Sequence, residues 1–196
     1  MNEMKSYEIR ELGPDTWTDF EKLAPKQGTC WCMYYHRERP LSKSIPREKR
    51  VALNKKDKER LVREDRSHAA LVYDGETLTG WCQYGLKKEL PRIDAGRNYK
   101  KIRPPATDQK LWRITCFFVD KAYRGKGVAK AALDGALESI KKRGGGIVEA
   151  YPVVNKKLIA NPEWVWFGTP RMFQKHGFKP IDPLGTSYML MRKTIG

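Results

Sequence analysis

The chain has 196 residues, 40% of them hydrophobic, which suits one domain over residues 1–196 with room for a sizeable core. Thirty-nine Lys and Arg against twenty-three Asp and Glu leave a formal charge of +16, which fits an acidic ligand or nucleic acid and fits equally a well-solvated surface. No apolar run approaches the ~20 residues of a membrane span, and residues 1–10 lack the apolar stretch of a signal peptide, so no membrane association and a cytoplasmic location are expected.

Taken in order, residues 6–12 alternate as a first strand, and Pro14 and Asp15 open a short helix through Trp17, Phe20 and Leu23. Residues 26–37 then cluster Trp31, Met33, Tyr34 and Tyr35 after a glycine turn, with Cys30 and Cys32 among them. Residues 47–65 read as a charged helix whose few apolar positions are Val51, Leu53, Leu61 and Val62, leaving most of its surface wet. Two strands, 69–73 and 77–84, flank Asp74-Gly75-Glu76, a strong hairpin signal. Residues 91–109 show no period and carry Pro104-Pro105, so a long loop is expected, with Tyr99 among basic side chains.

The stretch that organises the chain is 111–146, a strand, a glycine-bearing turn and a helix ended by glycines. Val128, Ala132, Ala136 and Ile140 recur every four residues beside the row Ala129, Leu133 and Leu137, which predicts one buried helix face. Lys141, Lys142 and Arg143 suit the last turn, and Gly144 can supply the left-handed stop. At the other end Gly125 and Gly127 leave the first-turn N–H groups open to an anion, with Arg124 and Lys126 adding charge. A dinucleotide fingerprint would need a small residue at Lys130, and a nucleotide P-loop would need Ser or Thr where Gly127 follows Lys126. A parallel strand follows at 147–151, then an irregular stretch to 164, a short helix over 167–176 ended by Gly177, and closing strands at 178–181 and 187–192.

The run Arg124-Gly125-Lys126-Gly127-Val128-Ala129 resembles the Arg/Gln-x-x-Gly-x-Gly/Ala signature of the GNAT superfamily of acetyltransferases. Val119-Asp120-Lys121-Ala122-Tyr123 and Met172-Phe173-Gln174-Lys175-His176-Gly177-Phe178 are similar to that superfamily too. The resemblance implies an α/β, GNAT-like acyl-CoA N-acyltransferase fold with a mixed, centrally splayed β-sheet flanked by helices. It implies acetyl-CoA as co-substrate, its pyrophosphate on Arg124, Gly125, Lys126, Gly127, Val128, Ala129 and Lys130. The pantetheine arm would pair with the backbone at Phe117 and Val119, with Phe118 between them. The segment after the first helix commonly lines the acceptor pocket, which makes Trp31, Tyr34 and Tyr35 substrate-side candidates. Trp81 and Gln83 share a face of the strand used as the pocket floor. Core packing is the alternative for all five.

Direct transfer from a thioester to an amine needs a neutral amine, a polarised carbonyl and a stabilised thiolate. A backbone N–H at the splayed strand can polarise, and Glu149 is the candidate base, with a strand carboxylate facing solvent or paired to a lysine as the alternative. Many family members carry a tyrosine four residues before the glycine of the last helix, but this chain has Phe173, so Tyr151 becomes the candidate acid or the thiolate leaves with help from solvent. Trp166 stands where an asparagine is often found. The three histidines lie in separate segments, and no Gly-x-Ser-x-Gly elbow is present. Cys30, Cys32, Cys82 and Cys116 form one C-x-C and two singletons, a poor zinc pattern, so buried thiols with no metal and no disulfide are expected. A covalent intermediate on Cys116 is the other reading of that thiol.

The expected activity is therefore an N-acetyltransferase acting on the primary amine of a small molecule, as a monomer or homodimer. One alternative acceptor is a charged RNA such as aminoacyl-tRNA, suggested by the net charge and residues 91–109. A non-catalytic acyl-CoA sensor, suggested by Phe173, is the other alternative.

Overall fold

The structure, a computed structural model, describes residues 6–102 and 104–196. In chain order the strands are β1 (Glu8–Glu11), β2 (His68–Asp74), β3 (Thr77–Leu86), β4 (Leu111–Val119), β5 (Gly146–Ala150), β6 (Lys179–Leu184) and β7 (Tyr188–Ile195). The α-helices are α1 (Trp17–Leu23), α2 (Arg47–Arg63), α3 (Arg92–Ala95), α4 (Arg97–Ile102), α5 (Val128–Lys142), α6 (Lys156–Ile159) and α7 (Pro170–Lys175). The strands make one seven-stranded sheet in the order β1-β2-β3-β4-β5-β7-β6. Every neighbouring pair is antiparallel except β4 and β5, which run parallel because α5 carries the chain back between them. This is the mixed α/β sheet that the sequence implies, and no helix among the described residues is long and apolar enough to cross a membrane.

The periodic stripe of α5 is buried as predicted, with Val128, Ala132, Leu133, Ala136, Leu137 and Ile140 packed on the sheet. Gly135 lets the helix come close: a Cβ there would stand 2.5 Å from Ile9 Cγ2 and 3.2 Å from the Ala70 Cβ. Gly144 adopts φ +93°, and the Gly144 and Gly145 N–H groups donate to Lys141 and Ile140, so the helix stops where the sequence places its glycines. The opposite sheet face is covered by α1 and α2, where Trp17, Phe20, Trp31, Leu61 and Val62 meet Leu71, Tyr73, Trp81 and Cys116.

Two elements position the site. The β3–β4 register passes from Gln83↔Cys116 to Tyr84↔Ile114, so Thr115 is an extra residue on β4, and its hydroxyl accepts from Gln83 Nε2 at 3.0 Å. A bulge of this kind bends and twists its strand. Accordingly β4 pairs with β5 only from Leu111↔Ile147 to Ile114↔Ala150, and the remainder of β4 diverges, as the splayed sheet requires. The second element corrects the loop expected over 91–109, because α3 and α4 lie there. Ile93 on α3 and Tyr99 and Ile102 on α4 pack with Tyr151, Leu184 and Leu190 into a third apolar cluster.

Candidate active site

The turn before α5 has the shape expected of an anion cradle. Gly125 and Gly127 sit at φ +75° and +86°, a region that strongly favours glycine, and no heavy atom lies within 4 Å of a Cβ built at either. Their lack of side chains keeps the backbone approachable from solvent. Tyr7 Oη donates to the Lys126 carbonyl at 2.8 Å and fixes the turn to the start of the chain. The N–H groups of Val128, Ala129 and Lys130 form the first turn of a 15-residue helix and have no backbone acceptor among the described residues. Arg124 and Lys126 are exposed and, among the described residues, pair with no carboxylate, whereas Lys130 is held by Asp134 at 2.8 Å. Lys26 neutralises the nearby Asp120 at 2.6 Å and holds its carboxyl below the usual range. The turn therefore presents two cations without a carboxylate partner among the described residues, Lys126 lying over the Tyr123 ring, beside three free N–H donors, which suits a diphosphate.

Past the bulge, the free edge of β4 is not left open at Phe117. The Phe117 N–H donates to the Trp166 carbonyl at 2.7 Å, so the stretch between α6 and α7 closes the splay at the point where an incoming chain would pair. Trp166 stacks on Trp164 at 5.8 Å, and both indoles are half exposed. The Phe117 ring packs in an edge arrangement on Phe173, which is fully buried and packs in turn on Phe178. Phe173 is a core residue with no hydroxyl to offer. Phe118, on the other face, stacks on Trp81 at 4.6 Å, and Val119 packs against the α5 core.

Glu149 is not a free base in this structure. It is wholly buried and sits in a row of charge across three strands, with Arg113 its register partner on β4 and Arg192 its partner on β7. Arg192 donates to Oε1 through Nη2 at 2.7 Å and Nε at 3.0 Å. Tyr151 Oη donates to Oε2 at 2.7 Å, and Tyr99 Oη lies 2.9 and 3.1 Å from the two oxygens. Arg113, also wholly buried, approaches Oε2 at 3.6 Å and makes a bidentate pair with Asp94 on α3 at 2.7 and 2.8 Å. Two guanidinium groups and two phenols thus occupy this one carboxylate. Tyr151 is likewise committed: burial, and then the adjoining carboxylate, push its hydroxyl well above the ordinary range despite Arg113, so it keeps its proton. Burial and Glu149 push Tyr99 up to about 12.

The five acceptor-side candidates separate by burial. Trp31 and Trp81 are 3% and 0% exposed and belong to the α1–α2 core, where Trp31 stacks on Trp17 and Phe20 packs on Trp81. Gln83 is also fully buried and hydrogen-bonded to Lys58 and Thr115, so these three are withdrawn from the acceptor surface. Tyr34 is 47% exposed, and half-buried Tyr35 packs on it at 4.9 Å and on Phe167 at 5.5 Å. Sequence reasoning missed Arg92, whose guanidinium lies 3.9 Å from the Tyr34 ring centroid. Among the described residues Arg92 pairs with no carboxylate, and its buried Nη1 has no hydrogen-bond partner. From Arg92 the path runs through Tyr34, Tyr35 and Phe167 to Trp166, and so to the Phe117 N–H. A lone arginine in a stretch of many basic residues gave no signal for this. No group of three or more metal-ligating side chains is gathered among the described residues.

A family model described as the acetyltransferase (GNAT) family matches residues 17–160. No curated protein matches the sequence. Among solved structures, PaiA N-acetyltransferase of Thermoplasma acidophilum in complex with coenzyme A is 17% identical, with a TM-score of 0.53 over 96% of this chain and 99% of that one. The GNAT domain of S. lividans PAT is 19% identical, with a TM-score of 0.54 over 96% of this chain and 90% of that one. Arabidopsis thaliana NAA60 in complex with a bisubstrate analogue is 14% identical, with a TM-score of 0.52 over 97% and 99%. At these identities the structural likeness speaks for the fold.

Proposed function

The chain belongs to the GNAT acetyltransferase family, and on that premise we propose that it transfers the acetyl group of acetyl-CoA directly to the primary amine of a small acceptor that also carries an anionic group. The single observation that carries the acceptor class is Arg92, a half-buried guanidinium over Tyr34 with no carboxylate of its own among the described residues. A buried charge is costly unless it is paired, so a carboxylate or phosphate on the acceptor is its natural partner. Tyr34, Tyr35 and Phe167 supply apolar walls beside it.

Acetyl-CoA is a substrate here, and the turn fits it. Arg124, Lys126 and the N–H groups of residues 128–130 answer the pyrophosphate, with Gly125 and Gly127 giving it room. Once the Trp166 carbonyl gives way, the Phe117 N–H is the donor best sited to polarise the thioester carbonyl, and Val119 lies two residues on to hold the pantetheine arm. The neutral amine then forms the C–N bond, the C–S bond breaks, and the amine proton passes to water. Phe173 donates nothing, so the thiolate is released to solvent, which a thiol of ordinary pKa ~8.5 permits. Glu149 and Tyr151 act as positioning residues, holding Arg113, Arg192 and α4 around the acceptor wall.

The test is release of free thiol from acetyl-CoA across amino acids, their decarboxylated counterparts and polyamines, with acetylated products identified by mass. Turnover should favour acceptors with an anionic group, and Arg92→Ala should raise their KM roughly 10- to 100-fold, the worth of a charge-assisted hydrogen bond. Equal KM values for anionic and uncharged acceptors would refute the assignment of Arg92.

A second reading, an aminoacyl-RNA acceptor, draws on the exposed Arg97, Lys100 and Lys101 of α4, which pair with no carboxylate among the described residues. Under it, affinity for tRNA falls steeply with salt and drops further when those three side chains are neutralised.

A further inference from the structure

Beneath the proposed acceptor wall lies a group of buried side chains that acetyl transfer does not use. The Cys32 and Cys116 sulfurs are 3.5 Å apart, although 84 residues separate them in the chain. The Gln27 amide spans both, its Nε2 at 3.0 Å from the Cys116 sulfur and its Oε1 at 3.3 Å from that of Cys32, and Trp81 Nε1–H donates to the Cys32 sulfur at 3.3 Å. Lys58 is fully buried beside them. Its ammonium donates to Ser67 Oγ and Gln83 Oε1, both at 2.7 Å, and has no carboxylate within ion-pair distance among the described residues. Gln83 is itself the cross-strand partner of Cys116. His36 cannot supply the missing negative charge. Its Nδ1–H donates to the Glu89 carbonyl, and its Nε2 accepts from Ser67, which requires the neutral ring.

Burial pushes the Lys58 ammonium below its ordinary range while the charge on nearby sulfur pushes it back up, so the thiols are the acidic groups that favour its charged form. Burial pushes the Cys32 thiol up, but Cys116, Lys58, Trp81 and Gln27 together bring it down to about 6. The contact with Cys32, and then burial, push Cys116 the other way. The two sulfurs are in contact and their proton affinities are pushed apart, so Cys32 is the sulfur set to react first and Cys116 the one placed to resolve it. Cys32 and Cys116 are 3% and 8% exposed and Gln27 above them is half-buried, so an oxidant reaches the pair when the loop around Gln27 opens.

We propose that Cys32 and Cys116 are an oxidation site, a thiol pair that hydrogen peroxide converts to a disulfide joining the aromatic loop after α1 to strand β4. The thiolate sulfur attacks the peroxide O–O bond, gives a sulfenic acid and releases one oxygen as water. The neighbouring thiol then attacks that sulfur, the S–S bond forms, and the second oxygen leaves as water. Two thiols lose two electrons in total and one peroxide becomes two waters. The sulfurs must close from 3.5 Å to about 2.05 Å. Trp31 and Cys32 hold φ values of +52° and +54°, costly for side chains of their size, so the backbone that carries Cys32 is strained before the sulfurs close. Cys32 stands two residues before Tyr34 and Cys116 one before Phe117, so the bond would tie the acceptor wall to the strand edge. That last consequence rests on the proposed function, whereas the chemistry of the pair does not.

The experiment treats the reduced protein with hydrogen peroxide, removes the peroxide, blocks remaining thiols with iodoacetamide in denaturant so that fully buried Cys82 is reached, and maps the peptides by mass. A cross-linked peptide joining Cys32 to Cys116, a mass lower by two hydrogens, alkylation confined to Cys30 and Cys82, and reversal by dithiothreitol are the expected results. The cross-link should vanish in Cys32→Ser and in Cys116→Ala, while the unmodified protein carries the test if either variant folds poorly. A Cys30–Cys32 bond, sulfinic acid without a cross-link, or four alkylatable cysteines after treatment would overturn the proposal. Oxidised protein should also show a raised acceptor KM with acetyl-CoA binding retained. A disulfide in a protein that transfers no acetyl group when reduced would leave the pair standing and remove the functional reading.

Discussion

Glu149→Gln separates a structural carboxylate from a catalytic one. The substitution keeps the shape of the side chain and removes the charge that Arg192 meets at 2.7 Å and Arg113 at 3.6 Å, both from within the buried charge row. The new amide also turns an N–H toward donors, since Tyr99, Tyr151 and Arg192 all give hydrogen bonds to this group. Breaking one partner of a buried pair typically costs about 3 to 5 kcal/mol. Asp94 still satisfies Arg113 through two bonds, which argues for the lower end. At roughly 2 to 4 °C per kcal/mol for a chain of this size, Tm should fall by at least ~6 °C. Thermal unfolding followed by circular dichroism measures that fall, and steady-state kinetics on the same sample gives kcat/KM. The positioning role predicts a large loss of stability with acetyl transfer surviving below the new Tm. Unchanged Tm with kcat reduced 100-fold or more would refute it and restore Glu149 as the base.

Two further outcomes follow from particular contacts. Burial, with the Lys58 charge next, holds His36 well below the ordinary imidazole range, so below pH ~6.5 the unfolded chain binds a proton that the folded one refuses. Stability is then full above that pH and falls as pH drops from 7 to 5, by up to ~1.4 kcal/mol per pH unit, and His36→Gln should flatten the slope seen in Tm against pH. Saturating acetyl-CoA should change tryptophan fluorescence, because freeing the Phe117 N–H moves the Trp166 carbonyl and its stack on Trp164. Trp166→Phe should lose most of that change, and an equal signal in the variant would argue against displacement.

The strand, turn and helix of 111–146 were legible because local rules decide them: apolar period, a basic last turn, and glycines at positive φ. The β2–β3 hairpin was legible from Asp74-Gly75 for the same reason. What stayed hidden depends on partners distant in sequence. Glu149 reads alone as an available carboxylate, and only the folded sheet brings Arg113, Arg192, Tyr99 and Tyr151 around it. Lys58 sits in the most charged helix of the chain, where solvation is the natural reading, yet it is buried against Ser67 and Gln83. The short helices α3 and α4 were masked by prolines and charge, and at four and six residues each is too short to show an apolar period. Trp31 and Trp81 were drawn into the pocket by resemblance, and packing against Trp17 and Phe20 assigns them to the core.

Calorimetric titration of acetyl-CoA, paired with thermal unfolding, into the parent protein and Arg124→Glu tests the coenzyme cradle most directly. At coenzyme 100-fold above Kd, native-state binding adds about 2.7 kcal/mol, which should raise the parent Tm by roughly 5 to 11 °C. Arg124 is exposed and pairs with no carboxylate among the described residues, so reversing its charge should leave the uncomplexed Tm nearly unchanged and abolish most of the shift. A parent protein that binds no acetyl-CoA, or a variant that binds it equally well, would contradict the assignment of residues 124–130 to the pyrophosphate.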